Sequence, residues 1–445
     1  MTQAADLLIR APRAVTGNAA EPERPLAVAV TNGTITAVEP LHATTLTSRD
    51  TWKLSRDEVL MPGLVDSHVH ICEPGHTEWE GFATATRAAA AGGITTLVDM
   101  PLDSVPVTVS VDALRVKQEA ADGQAHVDVA FWAGVIPGNT PGLDPLAQAG
   151  VTGFKCFLAD SGSPDLPPVD PGQLTEALHV AARLGLPLLV HAESAPAPAV
   201  AQARSYADYL ASRPRELENA AIAQVIDAAR ATGGHTHVVH LSSSDALPMI
   251  ASAQREGVRI TAETCPHYLT LTAEEITGTG TTAKCSPPVR EAANRELLWA
   301  GLRAGRLGLV VSDHSPCTAA MKAGNWDQAW GGISSLQLGL PLVWTQARRR
   351  GIGLPQVAAW MSAAPARLAG LTAKGRIAPG CDADFCVLAP EESFTVDPAR
   401  LYHKHPATTP YAGRTLHGVV RATLLHGQPL DPARPHGTLL RRNPA

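Results

Sequence analysis

The chain reads as an α/β protein: a (β/α)8 TIM-like barrel with a small β-sandwich domain formed by both chain ends. Three observations predict it. Residues 61–370 alternate short apolar runs with Ala-rich stretches of helical spacing. About eight such runs fall within some 300 residues, which implies repeated strand–helix units and a parallel sheet. Residues 1–60 and 371–445 share a β-rich texture unlike the middle, so the two ends are expected to build one discontinuous domain.

At the N-terminus, DLLIRAPRAV and PLAVAV read as strands, and Asn32-Gly33 before TITAVEP marks a hairpin. The barrel strands are expected in GLVDSHVH, GITTLVDMP, VDVAFWAGV, GFKCFL, LPLLVH, THVVHLS, VRITAETCP and LGLVVSD. Helices are expected between them, as in TEALHVAARLG and NAAIAQVIDAARATGG. GRIAPGCDADFCVLAP and GRTLHGVVRATLLHGQPL return to strand character.

Composition narrows the function classes. At 445 residues the chain is long enough for one large barrel and a satellite. Hydrophobic residues make up 45% and charged residues 18%, a soluble globular balance. The formal charge of −6 carries no basic block, which argues against nucleic acid or an anionic membrane as partner. No apolar run is long enough to span a bilayer. MTQAADLLIRAPRAV reads as a strand, not a signal peptide. Seven scattered cysteines without a CxxC pair suit a reduced cytoplasm, with Cys265 and Cys285 expected to be packing residues.

The polar residues fall at the ends of the apolar runs. His68 and His70 end GLVDSHVH, Lys155 sits late in GFKCFL, and His191, His240 and Asp313 end three further runs. In a (β/α)8 barrel these ends converge on one mouth, and alternation places His68 and His70 on one face of their strand. Each residue alone has a bland reading as a satisfied polar group or a turn cap. The ordered set does not.

This set resembles the amidohydrolase superfamily in its cyclic-amidase branch. The resemblance implies a centre of two divalent ions, zinc or else cobalt, manganese or iron. It implies that His68, His70 and Asp313 hold one ion, that His191 and His240 hold the other, and that Lys155 bridges both as a carbamate (N6-carboxylysine). Burial favours the neutral amine which that modification needs. Such a centre acidifies a water, and Asp313 then acts as the catalytic proton shuttle.

The longer motifs resemble the allantoinases. They are HICEPGHTEWEGF (70–82), DMPLDSVPVT (99–108), GFKCFLADSG (153–162), ETCPHYL (263–269), KCSPPVR (284–290), VSDHSPC (311–317), WGGISSLQLGLP (330–341) and GRIAPGCDADF (375–385). This implies hydrolysis of the hydantoin ring of allantoin to allantoate, in a cytoplasmic homo-oligomer, dimer or tetramer. Dihydroorotases place an Arg where Cys72 stands and an Asn where Leu102 stands. Dihydropyrimidinases and hydantoinases place a Tyr where Asp160 stands. Asp103 stands where allantoinases more often carry Asn; it either meets the ureido arm of the substrate or shapes the loop. The remaining alternative is a non-catalytic scaffold on the same fold, whose known examples lose ligands.

Substrate contacts are expected from Ser286 and, through close main-chain approach, from the Gly331-Gly332 pair, with Gly332 the candidate; each also has a reading as turn chemistry. His267 is expected either to orient a ligand from behind or simply to pack, His314 to take a structural role, and His235 and His237 to be non-ligands. Glu73, Glu78 and Glu80 in the first loop, and the cluster His403, Lys404 and His405, are expected to be solvated.

Overall fold

The structure is a computed structural model that describes residues 4–194, 203–277 and 280–442. Strands from both ends form one eight-stranded sheet. Its order runs Gln428–Pro429, Thr415–Leu425, Phe385–Thr395, Val59–Pro62, Ala5–Ala14, Arg24–Thr31 and Thr34–Pro40, with Ser48–Lys53 beside Ala5–Ala14. The ends meet where Val59–Pro62 pairs antiparallel with Phe385–Leu388. The hairpin at Asn32-Gly33 forms as read, with φ of 50° and 74°, the two positive values a tight primed turn demands. Ile9, Val28, Val30, Ile35, Leu60, Phe385 and Val387 pack together in a separate apolar cluster of this sheet.

Between the ends the chain alternates parallel strands and helices. Leu64–Val69, Ile94–Asp99 and Asp128–Phe131 pair in that order. Ala133–Gly134, Phe154–Phe157, Leu188–His191, Thr236–Val238, Ile260–Thr264 and Leu309–Val310 form a second parallel set. Only Trp132 separates the last strand of one set from the first of the other, and a parallel bridge joins Val69 to His314 beyond the final strand. All of these strands run the same way in chain order, so their C-terminal ends share one side.

The helices form where the apolar spacing predicts them. In Pro171–Leu184 the buried residues are Leu174, Ala177, Leu178 and Ala181, one stripe of an amphipathic helix. A capping box of Asp170 and Gln173 starts this helix, and Gly185 at φ 66° stops it. Arg215–Thr232 buries a like stripe of Ala221, Ile222, Val225, Ile226 and Ala229 and ends on Gly233 at φ 68°, without a side-chain cap at its start. No described helix is long and apolar enough to cross a membrane.

Residues 437–442 leave the end sheet and lie along the strand Asp128–Phe131: Val129 N donates to Thr438 O at 3.0 Å, and Leu440 N to Val129 O at 2.8 Å. Beneath them Lys374 Nζ holds Asp128 (2.5 Å), Asp384 (2.7 Å) and Asp382 (2.8 Å). This cluster ties the end sheet to the strand Asp128–Phe131, on which Trp132 follows.

Candidate active site

The strand ends open into a cavity of about 440 Å3 whose lining includes His68, His70, Lys155, His191, His240 and Asp313. All six are buried, with Lys155 only 1% exposed. The residues the sequence singled out from five separate strands are therefore brought together. A larger open groove, about 650 Å3, runs past Glu392, Asp397, Arg400 and Arg421 on another surface and contains none of these groups.

The histidines are held from behind. His68 Nδ1 lies 2.5 Å from Glu263 Oε1, His70 Nδ1 lies 2.8 Å from Asp103 Oδ2, and His191 Nε2 lies 3.3 Å from Glu193 Oε2. A carboxylate behind an imidazole fixes a proton on that nitrogen and sends the lone pair of the other nitrogen forward. The forward nitrogens converge. His68 Nε2 and His70 Nε2 stand 3.2 and 3.6 Å from Asp313 Oδ1, and His191 Nδ1 faces His240 Nε2 at 2.9 Å.

Charge follows this geometry. Burial works to raise the Asp313 carboxyl, but the imidazoles of His68, His70 and His240 hold it well below the usual carboxylate range. Burial likewise opposes ionisation of Glu263, yet His68 and His237 bring it down to about 2. Burial lowers His68, His191 and His240, which favours neutral, ligating imidazole. Burial also opposes protonation of His70, but Asp103 and Asp313 outweigh it and raise that group to about 9. Burial pulls the Lys155 amine down to about 8, against Glu263 and Asp313, which pull the other way.

The donor set fits metal ions. The ligand atoms of His68, His70 and Asp313 lie within 4.8 Å of one another, the arrangement of one ion's ligands. His191 and His240 direct two further nitrogens at each other, and the far nitrogen of His240 is buried with no hydrogen-bond partner among the described residues. The backbone is forced to make this possible: Asp103, His240 and Asp313 have φ of 59°, 37° and 46°. Non-glycine residues held there cost of order 1–3 kcal/mol each, and such strain gathers at functional sites.

Other expected residues fall on and off the wall. Ser286 lines the cavity, with its Oγ 2.9 Å from Tyr209 Oη. Gly331 lines it beside Ser286, whereas Gly332 sits off the wall, packed against Ser315 with no room for a side chain. Asp160 lies on the rim and its Oδ1 accepts from Gly162 N at 3.0 Å, an Asx turn. Cys72 is buried outside the lining. His267 is buried near Asp313, and His314 takes the structural place expected of it, accepting from Ser335 N at 3.1 Å. His235 and His237 bond to Thr261 and do not line the cavity, but His237 Nε2 also reaches Glu263 Oε2 at 2.9 Å, behind His68.

Two expectations of solvation are corrected. Glu80 is fully buried, 3.2 Å from His314 Nε2 and accepting from Lys404 N at 3.1 Å, while Glu73 accepts from Phe82 N at 2.8 Å at the start of a helix. His403, Lys404 and His405 are only partly a solvated cluster, with Lys404 exposed as expected and His405 half-buried. They clamp the first loop: His403 is buried, Lys404 Nζ donates to the carbonyls of Thr77 and Glu80, and His405 Nε2 donates to Glu78 O at 2.7 Å. Glu78 itself stays exposed, as expected. The reason is long range: a loop near residue 80 and a turn near residue 404 satisfy several of each other's polar groups, although Thr77, Glu78 and Lys404 keep part of their surface in water.

Sequence reading missed two of the three carboxylates behind the histidines, Glu263 and Glu193. Glu263 had a signal, a lone acidic residue in the buried strand Ile260–Thr264. Glu193 and its partner Arg213 (3.0 Å) had none beyond proximity to His191.

Residues 59–430 match the sequence profile of the amidohydrolase family. The chain belongs to that family. It is 53% identical to the allantoinase of Streptomyces avermitilis over 99% of both chains. It is 46% identical to the allantoinase of Arabidopsis thaliana, covering 83% of this chain and 77% of that one, and 45% identical to the allantoinase of Saccharomyces cerevisiae, covering 83% and 82%. Among solved structures it superposes on the L-hydantoinase of Arthrobacter aurescens with a TM-score of 0.90 at 28% identity, over 98% of each chain. The dihydropyrimidinase of Brevibacillus agri gives 0.88 at 27% over the same shares.

Proposed function

We propose that this amidohydrolase opens the hydantoin ring of allantoin by hydrolysis, giving allantoate. The observation that carries the reading is the end-to-end match to an allantoinase at 53% identity over a site whose six candidate residues converge on one cavity. Hydantoin or dihydropyrimidine hydrolysis is the second reading, favoured by the structural neighbours. The rim residue Asp160 weighs against it, because a carboxylate cannot donate to an oxyanion as a phenol does.

His68, His70 and Asp313 would hold one divalent ion, and His191 and His240 the other. Zinc suits this imidazole–carboxylate set, with cobalt, manganese and iron as alternatives. When bound, the ions supply Lewis acidity to a water and to the ring carbonyl. Lys155, as a carbamate, would add a carboxylate to this donor set: its neutral amine would add to carbon dioxide, an N–C bond forming as one C=O π pair moves onto oxygen and a nitrogen proton leaves. An amine at about 8 is neutral in roughly a tenth of molecules at pH 7, roughly 300-fold more than one at its ordinary 10.5. Asp313 takes the proton of the attacking water and hands it to the ring nitrogen as the C–N bond breaks. Glu263, Asp103 and Glu193 hold their imidazoles in the ligating tautomer. Ser286 and the main chain at Gly331 face the ring amide, in the place first given to Gly332.

We read the parallel strands as one closed (β/α)8 barrel over residues 61–370, with Asp128–Phe131 and Ala133–Gly134 as parts of one strand; the Val69–His314 bridge supports this closure. The sheet of 1–60 and 371–445 is the small β-sandwich. The enzyme is cytoplasmic and a homo-oligomer, dimer or tetramer. The test is ring opening of allantoin by metal-replete protein, followed by product mass, beside chelator-treated protein. Turnover that depends on metal supports the reading, and metal-replete protein inert on allantoin overturns it.

A further inference from the structure

Two buried lysines take no part in the chemistry above. Lys284 and Lys322 are 6% and 7% exposed, and among the described residues they donate only to main-chain carbonyls. Lys284 Nζ reaches Asp327 O at 3.1 Å and Ala329 O at 2.7 Å, and rests 5.1 Å from the Tyr209 ring centre. Lys322 Nζ reaches Trp330 O at 2.9 Å and Lys284 O at 3.0 Å. The Thr281 hydroxyl donates to Lys322 O, and Trp330 N donates to Met321 O at 2.7 Å. Burial pulls both amines down to about 8.

A buried ammonium without a carboxylate is a costly way to fill space, and an apolar side chain would do that better. What lysine uniquely supplies is three donors on one charged atom, so it can gather several carbonyls at once, where an amide side chain offers two donors. Here the gathered carbonyls belong to Asp327, Ala329 and Trp330. The same stretch presents Gln328, Ala329, Trp330 and Gly331 to the cavity. Asn325 Oδ1 accepts from Asp327 N and Gln328 N, each at 3.1 Å, closing the turn from its other side. Trp79 of the first loop lies edge-on to Trp330 with ring centres 5.0 Å apart, so this segment also packs against that loop.

We propose that Lys284 and Lys322 are positioning residues, a pair of ammonium groups that fixes the main chain of residues 327–331 as the substrate-facing wall of the cavity. Neither touches the reacting atoms. The kinetic part of the test rests on the allantoin reading; the exchange part does not.

The experiment uses Lys284→Met and Lys322→Met, with Lys284→Gln and Lys322→Gln as variants that keep a donor and carry the test if the Met forms do not fold. Each is assayed as metal-replete protein for metal content, for KM and kcat on allantoin, and for amide hydrogen exchange across residues 325–331. The expected result is exchange in that segment and KM both raised about tenfold or more, the worth of one charge-assisted hydrogen bond spent on order. Metal content stays unchanged and kcat within about threefold, as loss of binding without loss of chemistry requires. The Gln forms move the same way by less. Unchanged exchange and KM overturn the proposal. So does a joint fall of kcat and metal content with exchange raised throughout the protein, which marks a merely structural role. Wild-type protein that leaves allantoin intact sinks the substrate reading, while the exchange comparison still decides the clamp.

Discussion

Glu263→Gln removes one charge and almost no volume from a residue that is fully buried. Its two oxygens accept from two histidines, His68 Nδ1 at 2.5 Å and His237 Nε2 at 2.9 Å. Both imidazoles therefore carry their proton on the side facing Glu263, and His68 presents a free lone pair on Nε2. A glutamine has one oxygen and one NH2 in those places, so one of the two histidines must turn its tautomer. If His68 turns, its forward nitrogen is protonated and no longer a ligand; if His237 turns, His68 still loses a charged acceptor. Loss of such a partner weakens metal binding about 10- to 100-fold, or about 1.4–2.7 kcal/mol. The assay is competition for zinc against a chromophoric chelator, with kcat measured at saturating metal. The expected outcome is a Kd raised within that range and a kcat that recovers substantially when metal is in excess. A folded variant with unchanged Kd would refute the argument that Glu263 sets the His68 tautomer.

Three further substitutions probe the rest of the account. Lys155→Ala should lose bridged metal and fall at least about a thousandfold in kcat, with partial rescue by short carboxylic acids plus metal; full activity without rescue would remove the bridging role. Asp313→Asn should retain metal at the His191–His240 position and lose about 100- to 10,000-fold in kcat, so near-normal turnover would mean that the proton travels another way. Asp128→Asn addresses stability. Burial opposes ionisation of Asp128, but His426 and Lys374 bring it to about 2, below its ordinary 3.8. A depressed carboxyl stabilises the fold above its unfolded value, and that stability is lost as pH falls from about 4 through about 2. The loss is about 2 kcal/mol. Acid titration of unfolding should show this step in the wild type and not in the variant.

The α/β alternation, the shared sheet of the two chain ends and the convergence of the six residues were legible because they rest on short-range rules. A strand's alternation tells which way His68 and His70 point, and parallel strands put their C-terminal ends on one side. Lys155 was legible because a cation in an apolar strand needs a reason. The same rule applied to Glu263 in VRITAETCP would have found the carboxylate behind His68. Asp103 was noticed but its contact was not, because nothing local tells that a loop after one strand reaches a histidine on another. Glu80 with Lys404, and Lys284 with the carbonyls beyond residue 326, are pairings of the same long-range kind: each residue looks like ordinary surface until the chain folds back on it. Of the Gly331-Gly332 pair only Gly331 lines the cavity, and an irregular segment has no period from which to read its facing side.

The central claim is the substrate. Metal-replete protein given allantoin, hydantoin, dihydrouracil and dihydroorotate in parallel should gain one water on allantoin, with kcat/KM at least about a hundredfold above any other ring, since buried polar groups left unpaired by a missing arm discriminate strongly. A higher kcat/KM for hydantoin or dihydrouracil than for allantoin, in protein of confirmed metal content, would contradict it.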